Sequence, residues 1–189
     1  MSTPKNRTVE ARILRVNHGG EHGAIRIYRA QIALARLRAP DLLPFLTRTL
    51  AHEREHLERF QALMPTRAAK PCRLMWIWSV GGVALGGVTG VLGRKAILVC
   101  TEAVERTVHR HLDDQLAWLG ERDAEMAATI HDIQQQELGH LRYAEKERGA
   151  PNGLTALLDA TICIAVEALI WLSTRGDSLR LARTLRAAA

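Results

Sequence analysis

The sequence predicts an all-α protein whose centre is a four-helix bundle of two duplicated helical hairpins, with further apolar helices outside it. Three observations support this fold. Aromatic residues make up only 4% of the 189 residues while Ala, Leu and Arg are abundant, a composition that favours helices over strands. Apolar residues recur every three to four positions through most of the chain. A set of Glu and His residues recurs with one spacing in both halves.

The first hairpin begins with apolar residues at helical spacing over 9–37, after a polar segment, 1–8, that we assign to a flexible N-terminus. The sequence His18-Gly19-Gly20 interrupts this helix. Each glycine costs about 1 kcal/mol relative to alanine, so we expect a neighbouring helix to approach closely here. Pro40 marks the turn, and the second helix ends before Pro65.

An apolar segment follows, in which residues 74–93 carry no formal charge and are rich in glycine. The length allows a transmembrane helix, but the glycines argue against a simple span, and Trp76 and Trp78 resemble interfacial anchors. A buried helix of the bundle core is the alternative. We favour an apolar helix that lies in one membrane leaflet or covers an apolar substrate channel, with arginines pairing to lipid phosphates.

The second hairpin is predicted as helices over 94–119 and 122–148, separated by a short polar turn. A loop rich in glycine and proline then leads to a final apolar helix over 154–172. The sequence therefore predicts one domain over 9–175 and a basic C-terminal tail over 176–189.

Charge and cysteine content limit the class of protein. The net charge of +6 is compatible with nucleic acid or an anionic membrane as partner. The basic residues are spread along helices and are not interleaved with aromatic residues, so we predict no nucleic-acid binding. Cys72, Cys100 and Cys163 are widely spaced without a C-x-x-C motif, which indicates thiols in a reducing compartment.

Six Glu and His residues form a repeated metal-ligand pattern. The lone Glu precedes the Glu-x-x-His pair by 32 residues in each half, and a shift of 84 residues relates the two copies. A Glu from each of two helices plus Glu-x-x-His from two others is the ligand set of di-iron carboxylate bundles. Four carboxylates nearly balance two Fe(II) ions in a dry interior. The candidate ligands are Glu21, Glu53, His56, Glu105, Glu137 and His140.

Other ionisable residues are close to these six in the sequence. Glu102 lies one turn before Glu105 and could replace it as a ligand, although the 84-residue repeat favours Glu105. His109 and His111 could orient a ligand through a hydrogen bond or could simply be solvated. Three residues next to ligands point about 100° away on a helix and are not assigned to the site: His22, His52 and Glu55.

On these residues the chain resembles the Coq7 family, the ferritin-like di-iron demethoxyubiquinone hydroxylases of ubiquinone biosynthesis. The likeness runs from Ile13 to about Arg175 and rests on RVNHGGEHGAIRIY, HEREHLERF, CTEAVE, QELGH and IWLS. The resemblance implies two Fe ions per chain, held by the same six residues. It also implies that His111 is an electron or proton relay. Trp171 stands where the family often has Tyr.

The activity that the resemblance implies is an O2-dependent hydroxylation of the ring of 2-polyprenyl-3-methyl-6-methoxy-1,4-benzoquinone or its quinol. Electrons would come from NADH or a separate reductase, since the sequence has no nucleotide-binding fingerprint. The implied partners are this substrate, membrane lipids, other proteins of ubiquinone biosynthesis and further copies of the chain. Without a presequence, we expect a peripheral protein on the cytoplasmic side of a bacterial inner membrane. The matrix side of the mitochondrial inner membrane is the alternative.

Two other interpretations stay open. A ferritin-like oxidase or ferroxidase would act on a soluble substrate, but it would have no use for the uncharged segment 74–93. A non-catalytic membrane protein that binds quinone or acts as a scaffold would fold without a redox-active metal.

Overall fold

The computed structural model describes residues 4–120 and 122–174, and all regular secondary structure within them is helical. Two single turns of 3-10 helix, Pro40–Leu42 and Pro65–Arg67, follow the first and second α-helices. The prediction of an all-α protein is confirmed. The α-helices are α1 (Pro4–Arg38), α2 (Leu43–Leu63), α3 (Met75–Leu92), α4 (Arg94–Leu119), α5 (Ala124–Arg148) and α6 (Gly153–Thr174).

The largest difference from the predicted boundaries is at the start of α1. This helix begins at Pro4, so residues 4–8, which the sequence assigned to a flexible N-terminus, are helical. Proline suits the first turn of a helix, because the N–H that it lacks would have no partner there. Residues 1–3 and the predicted basic tail over 176–189 lie outside the described residues.

Helices α1, α2, α4 and α5 form a ferritin-like four-helix bundle in which α1 packs against α2 and α4 packs against α5. The bundle has two separate apolar clusters. One contains Leu14, Phe60 and Ile130, and the other contains Leu46 and Leu98. Each helix contributes to both clusters, so a layer of side chains is left between them near the middle of the bundle.

Glycines allow α3 to lie directly against α1. A Cβ atom on Gly82 would lie 2.5 Å from the carbonyl oxygen of Gly23, and one on Gly86 would collide with the backbone of Ile27. Residues four apart lie on the same helix face, so these glycines form one stripe along α3. Close approach of the two backbones requires this stripe.

Trp78 fills the space beside two glycines of α1. A Cβ on Gly19 would lie 2.7 Å from the indole Nε1, and one on Gly23 would lie 2.9 Å from the indole ring. The close approach predicted at His18-Gly19-Gly20 is therefore confirmed at Gly19. The interpretation of Trp78 as an interfacial anchor is wrong, because its side chain is only 4% exposed. Trp76, on the opposite face of α3, is 63% exposed.

Helices α3 and α6 touch each other and cover one side of the bundle, over α1 and α4. Each is long and apolar enough to cross a membrane, yet only 28% of α3 and 22% of the apolar window of α6 are buried. The alternative that 74–93 is a buried core helix is therefore wrong. We call the exposed apolar residues of these helices the outer face: Trp76, Val80, Val83, Val88, Val91, Leu92, Leu154, Leu157, Ile164, Trp171 and Leu172.

Candidate metal centre

The six predicted ligands meet in the layer between the two apolar clusters. Helix α1 supplies Glu21, α2 supplies the pair 53 and 56, α4 supplies Glu105, and α5 supplies the pair 137 and 140. All six side chains are buried, none being more than 6% exposed. In α2, the pair Glu53 and His56 lies between Leu50 of one apolar cluster and Phe60 of the other. The pair shares a helix face with these two buried residues and therefore points into the bundle.

The six residues divide into two overlapping groups of four. Within each group the candidate ligand atoms lie within 4.8 Å of one another. Glu53 and Glu137 belong to both groups, so they are the residues that could bridge two metal ions. The first position adds Glu21 and His56, and the second adds Glu105 and His140.

The Glu137 carboxylate faces both imidazoles. His56 Nδ1 lies 3.0 Å from Glu137 Oε1, and His140 Nδ1 lies 3.0 Å from Glu137 Oε2. Each carboxylate oxygen thus faces a different imidazole. This arrangement suits a carboxylate that bridges two ions while each imidazole binds one of them.

Two buried atoms of the cluster favour a bound metal over a purely hydrogen-bonded cluster. Glu53 Oε1 and His56 Nδ1 have no hydrogen-bond partner of acceptable geometry among the described residues. Buried polar atoms without partners are rare, and both of these atoms belong to the groups that could hold a metal. A mixed set of carboxylates and imidazoles fits a divalent ion such as Fe(II).

The protonation of the metal-free cluster follows from burial and mutual contact. Burial, followed by repulsion from Glu137, raises the pKa of Glu53 well above its usual range and that of Glu105 to about 8. Burial disfavours charged imidazoles, but the close carboxylates outweigh it and raise the pKa of His56 to about 11 and of His140 to about 9. Protons therefore occupy places that metal ions would take, and metal binding would release them.

The two histidines are held by residues of the opposite hairpin. His140 Nε2 lies 2.9 Å from His52 Nδ1, and the two rings stack with centroids 5.2 Å apart. His56 Nε2 lies 3.1 Å from Gln136 Oε1. His52, which the sequence analysis did not assign to the site, is outside both ligand groups but contacts one of the candidate ligands. Its 100° offset from Glu53 turns the side chain toward α5, where it meets His140.

Tyr28 and Gln136 were missed by the sequence analysis. The Tyr28 hydroxyl donates a hydrogen bond to Glu105 Oε1 at 2.5 Å, and its side chain is only 1% exposed. Tyr28 follows Glu21 by seven residues, which places both on the same face of α1. That spacing, together with the position of Gln136 directly before Glu137, could have identified both residues.

The alternative ligand Glu102 lies outside the cluster. Its carboxylate pairs with Arg148 of α5 and, at 3.2 Å, with Arg106. Glu105, which the repeat favoured, belongs to one of the two groups that could hold a metal, whereas Glu102 belongs to neither. His22 contacts Ser79 of α3 at 2.8 Å instead of a ligand. His109 and Glu55 are also outside both groups.

His111 lies on α4 six residues after Glu105, at the wall of a cavity that reaches the cluster. Its Nε2 is 3.3 Å from Glu167 Oε1 of α6. The contact with His111 lowers the pKa of Glu167, so this carboxylate is charged at neutral pH. The structure places His111 beside the path to the metal centre and outside the two ligand groups.

The cavity has a volume of about 240 Å³. Helices α1, α3, α4 and α6 supply most of its lining, and α2 and α5 supply Glu53 and Glu137. The four carboxylates of the cluster are at its inner end, and apolar side chains make up most of the wall. It extends to Leu172 on the outer face. An apolar passage thus connects the exposed apolar surface to the candidate metal centre.

A family model described as ubiquinone biosynthesis protein COQ7 matches residues 8–173. The chain belongs to this family. Its members in other organisms include a 3-demethoxyubiquinol 3-hydroxylase of Rhodospirillum rubrum, which is 39% identical over 166 residues, covering 87% of this chain and 77% of the relative.

Two eukaryotic relatives agree with this assignment. The mouse protein, named an NADPH-dependent 3-demethoxyubiquinone 3-hydroxylase and mitochondrial, is 34% identical over 90% of this chain and 79% of its own length. The 5-demethoxyubiquinone hydroxylase of Saccharomyces cerevisiae, also named mitochondrial, is 31% identical over 71% of this chain and 64% of its own length. The relatives are thus hydroxylases named for one class of ubiquinone precursor.

Proposed function

We propose that this COQ7 family protein is a di-iron monooxygenase that hydroxylates the ring of a demethoxyubiquinone-type polyprenyl intermediate. The observation that carries the proposal is the apolar cavity that joins four buried carboxylates to the outer face. A long polyprenyl tail could stay in the membrane while its ring enters this cavity. The names of the relatives support the substrate class.

The chemistry of O2 activation would be supplied by two iron ions when they are bound by the six ligands. The protein contributes placement and exclusion of water. Ile27, Trp78 and Val104 line the cavity with apolar surface, so a ring bound there is shielded from solvent. His111, paired with Glu167, can hold or pass a proton at Nε2 beside the ring.

The reductant and the location are part of the same proposal. The name of the mouse relative specifies NADPH, which supports an external nicotinamide or reductase as electron source. We propose that α3 and α6 place the protein in one leaflet, on the cytoplasmic side of a bacterial inner membrane or on the matrix side in mitochondria. Their exposed apolar residues support membrane contact.

The first test is anaerobic reconstitution with Fe(II), read by Mössbauer spectroscopy before and after brief exposure to O2. We expect close to two irons per chain that become magnetically coupled. A short-chain demethoxyubiquinol supplied with O2 and reductant should then gain one oxygen atom, which mass spectrometry detects. Glu137→Ala should lose both iron and hydroxylation while still binding membranes, because Glu137 belongs to both groups of candidate ligands.

Glu55→Ala is the matched control, since Glu55 lies on the same helix but is exposed and outside the cluster. It should retain two irons and full activity. Failure of the wild-type chain to bind iron, or binding of one uncoupled ion, would reject the six-ligand assignment and favour the scaffold interpretation. Two coupled irons without hydroxylation would instead favour the oxidase interpretation.

A further inference from the structure

The surroundings of the two metal positions follow the internal repeat. A shift of 84 residues relates His52 to Gln136, just as it relates Glu53 to Glu137. Each of these residues contacts the histidine of the other hairpin, at 2.9 Å for His52 and 3.1 Å for Gln136. The duplicated hairpins therefore exchange hydrogen-bond partners across the bundle.

The two hydrogen-bond partners differ in their chemistry. His52 offers a ring nitrogen to His140, whereas Gln136 offers an amide oxygen to His56. An imidazole nitrogen is a far stronger base than an amide oxygen. An N–H donated to the stronger base leaves more electron density on the ligating nitrogen, which strengthens its bond to a metal.

A second difference reinforces the first. Tyr28 donates to Glu105 at 2.5 Å and fixes that carboxylate in place. The residue related to Tyr28 by the same shift is Leu112, which has no donor. Leu112 is buried in an apolar cluster and lines the cavity. A carboxylate held before binding loses less freedom when it binds an ion.

We propose that the two metal positions differ in affinity and that the second position, with Glu105 and His140, binds its ion more tightly and first. Tyr28 and His52 are the positioning residues that cause the difference. This inference rests on the proposed metal centre, but it concerns the order of loading and not the hydroxylation.

The test uses two variants, each of which removes one histidine and keeps the full ligand set of only one metal position. His56→Ala retains the ligands specific to the second position, and His140→Ala retains those of the first. The affinity of each variant for Fe(II) is measured anaerobically by competition with a coloured chelator. We expect His56→Ala to bind Fe(II) at least about tenfold more tightly than His140→Ala. Removal of a hydrogen-bond partner of a metal ligand typically weakens binding by about 10–100-fold.

Tyr28→Phe then separates positioning from a general structural effect. It should weaken Fe(II) binding by about 10-fold or more in the His56→Ala background and by less than about threefold in the His140→Ala background. His52→Gln, which gives both histidines an amide partner, should narrow the difference between the two positions. Tyr143→Phe is the control, since Tyr143 stacks on Phe45 outside the ligand groups. It should change neither affinity.

Equal affinities of the two single-position variants, or equal weakening of both by Tyr28→Phe, would overturn the inference while leaving the metal centre intact. Absence of iron binding in the wild-type chain would overturn the metal centre and this inference together. Circular dichroism of each variant confirms that a lost affinity does not reflect a lost fold.

Discussion

Glu53 shows what a single buried ligand costs the metal-free protein. Its side chain is 1% exposed, its Oε1 has no hydrogen-bond partner among the described residues, and three other carboxylates surround it. Burial and this repulsion raise its pKa well above the usual range. A residue in this state weakens the fold unless a cation is present, because a buried charge without compensation is costly.

We therefore expect Glu53→Gln to stabilise the metal-free protein. The neutral amide removes the repulsion and can donate to a neighbouring carboxylate, a gain of about 1–2 kcal/mol. For a chain of this size the midpoint of thermal unfolding should rise by roughly 2–8 °C, measured by calorimetry in the presence of a chelator. Fe(II) should stabilise the wild-type protein but have little effect on the variant.

Glu55→Gln, at an exposed position two residues away, should leave the midpoint within about 1 °C, since exposed substitutions rarely exceed 0.5 kcal/mol. A lower midpoint for metal-free Glu53→Gln would show that the carboxylate has a structural partner and that the cluster is stable without cations.

The residues of the site differ in how well the sequence predicts them. The Glu-x-x-His spacing is a local property of one helix, and the 84-residue repeat relates two hairpins, so all six cluster members could be predicted. His52 could not, because its importance depends on where α5 lies relative to α2. A helical offset excludes a residue from one face, but it does not reveal which helix meets the other face.

At the scale of helices, the contact between α1 and α3 depends on which α3 glycines face α1. A Cβ on Gly86 would collide with the backbone of Ile27, whereas one on Gly87 would meet nothing within 4 Å. Alanine is better than glycine in a helix by about 0.5–1 kcal/mol when there is room. We therefore expect alanine to stabilise the protein at Gly87 and to destabilise it at the neighbouring Gly86.

Gly87→Ala should raise the midpoint of thermal unfolding by about 1–4 °C, and Gly86→Ala should lower it by more than that. Backbone cannot yield as a flexible side chain does, so the second variant must separate α3 from α1. Increased binding of a hydrophobic dye would report this separation. The same stabilisation by both substitutions would contradict the close packing of the two helices.

The N-terminus of α5 is joined to the end of the first hairpin by a buried ion pair. Asp123 caps α5 by accepting from the Met126 N–H at 3.0 Å. Arg67 donates to both oxygens of the same carboxylate, at 2.6 and 2.8 Å. The hydrogen bonds from Arg67, which exceed the opposing effect of burial, lower the pKa of Asp123.

Asp123→Asn keeps a cap but loses the ion pair, while Arg67 keeps Glu125 at 2.9 Å. Stability at pH 7 should therefore fall by about 1.5–3 kcal/mol, the range for hydrogen bonds to charged groups. The folded pKa of Asp123 lies below its unfolded value of 3.8. The stabilisation is therefore complete above about pH 5 and is lost as the pH falls through the folded pKa. The difference between the unfolding midpoints of wild type and variant should be constant from pH 5 to 7 and shrink below pH 4. A constant difference down to pH 3 would rule out this linkage.

Helix type and order followed from the sequence because apolar spacing and prolines are local. The orientation of α3 did not follow. Trp76 and Trp78 lie on opposite faces of the helix, and only the position of α1 decides that Trp78 is buried against Gly19. An apolar segment that is rich in glycine fixes neither which face is packed nor which is exposed.

For the whole molecule, the cavity and the outer face are features that no single segment contains. All six helices contribute residues to the cavity wall, and the outer face combines α3 with α6, which are far apart in the sequence. The sequence predicted two apolar helices and one set of ligands. Their relation, with an apolar passage leading from the exposed surface to the carboxylates, depends on how the bundle assembles.

The exposed outer face leads to a prediction about membranes. Val88 and Ile164 are 58% and 71% exposed, one on each helix, so changing them should leave the fold intact. If the outer face enters the acyl region, aspartate at both positions places charge in an apolar medium. The double variant Val88→Asp/Ile164→Asp should lower partitioning to anionic vesicles at least about tenfold, the ratio that 1.4 kcal/mol produces. Flotation of the vesicles measures it.

A control with one added negative charge away from the outer face distinguishes membrane insertion from attraction by net charge. The control is Ala128→Asp, because Ala128 is exposed on α5, which packs against α4 and α2. It should weaken vesicle binding only slightly, in proportion to one charge of the +6 total. If the double variant and this control lose binding to the same extent per added charge, the arginines hold the protein at the surface. The apolar outer face would then not enter the lipid, and the cavity would open to water instead.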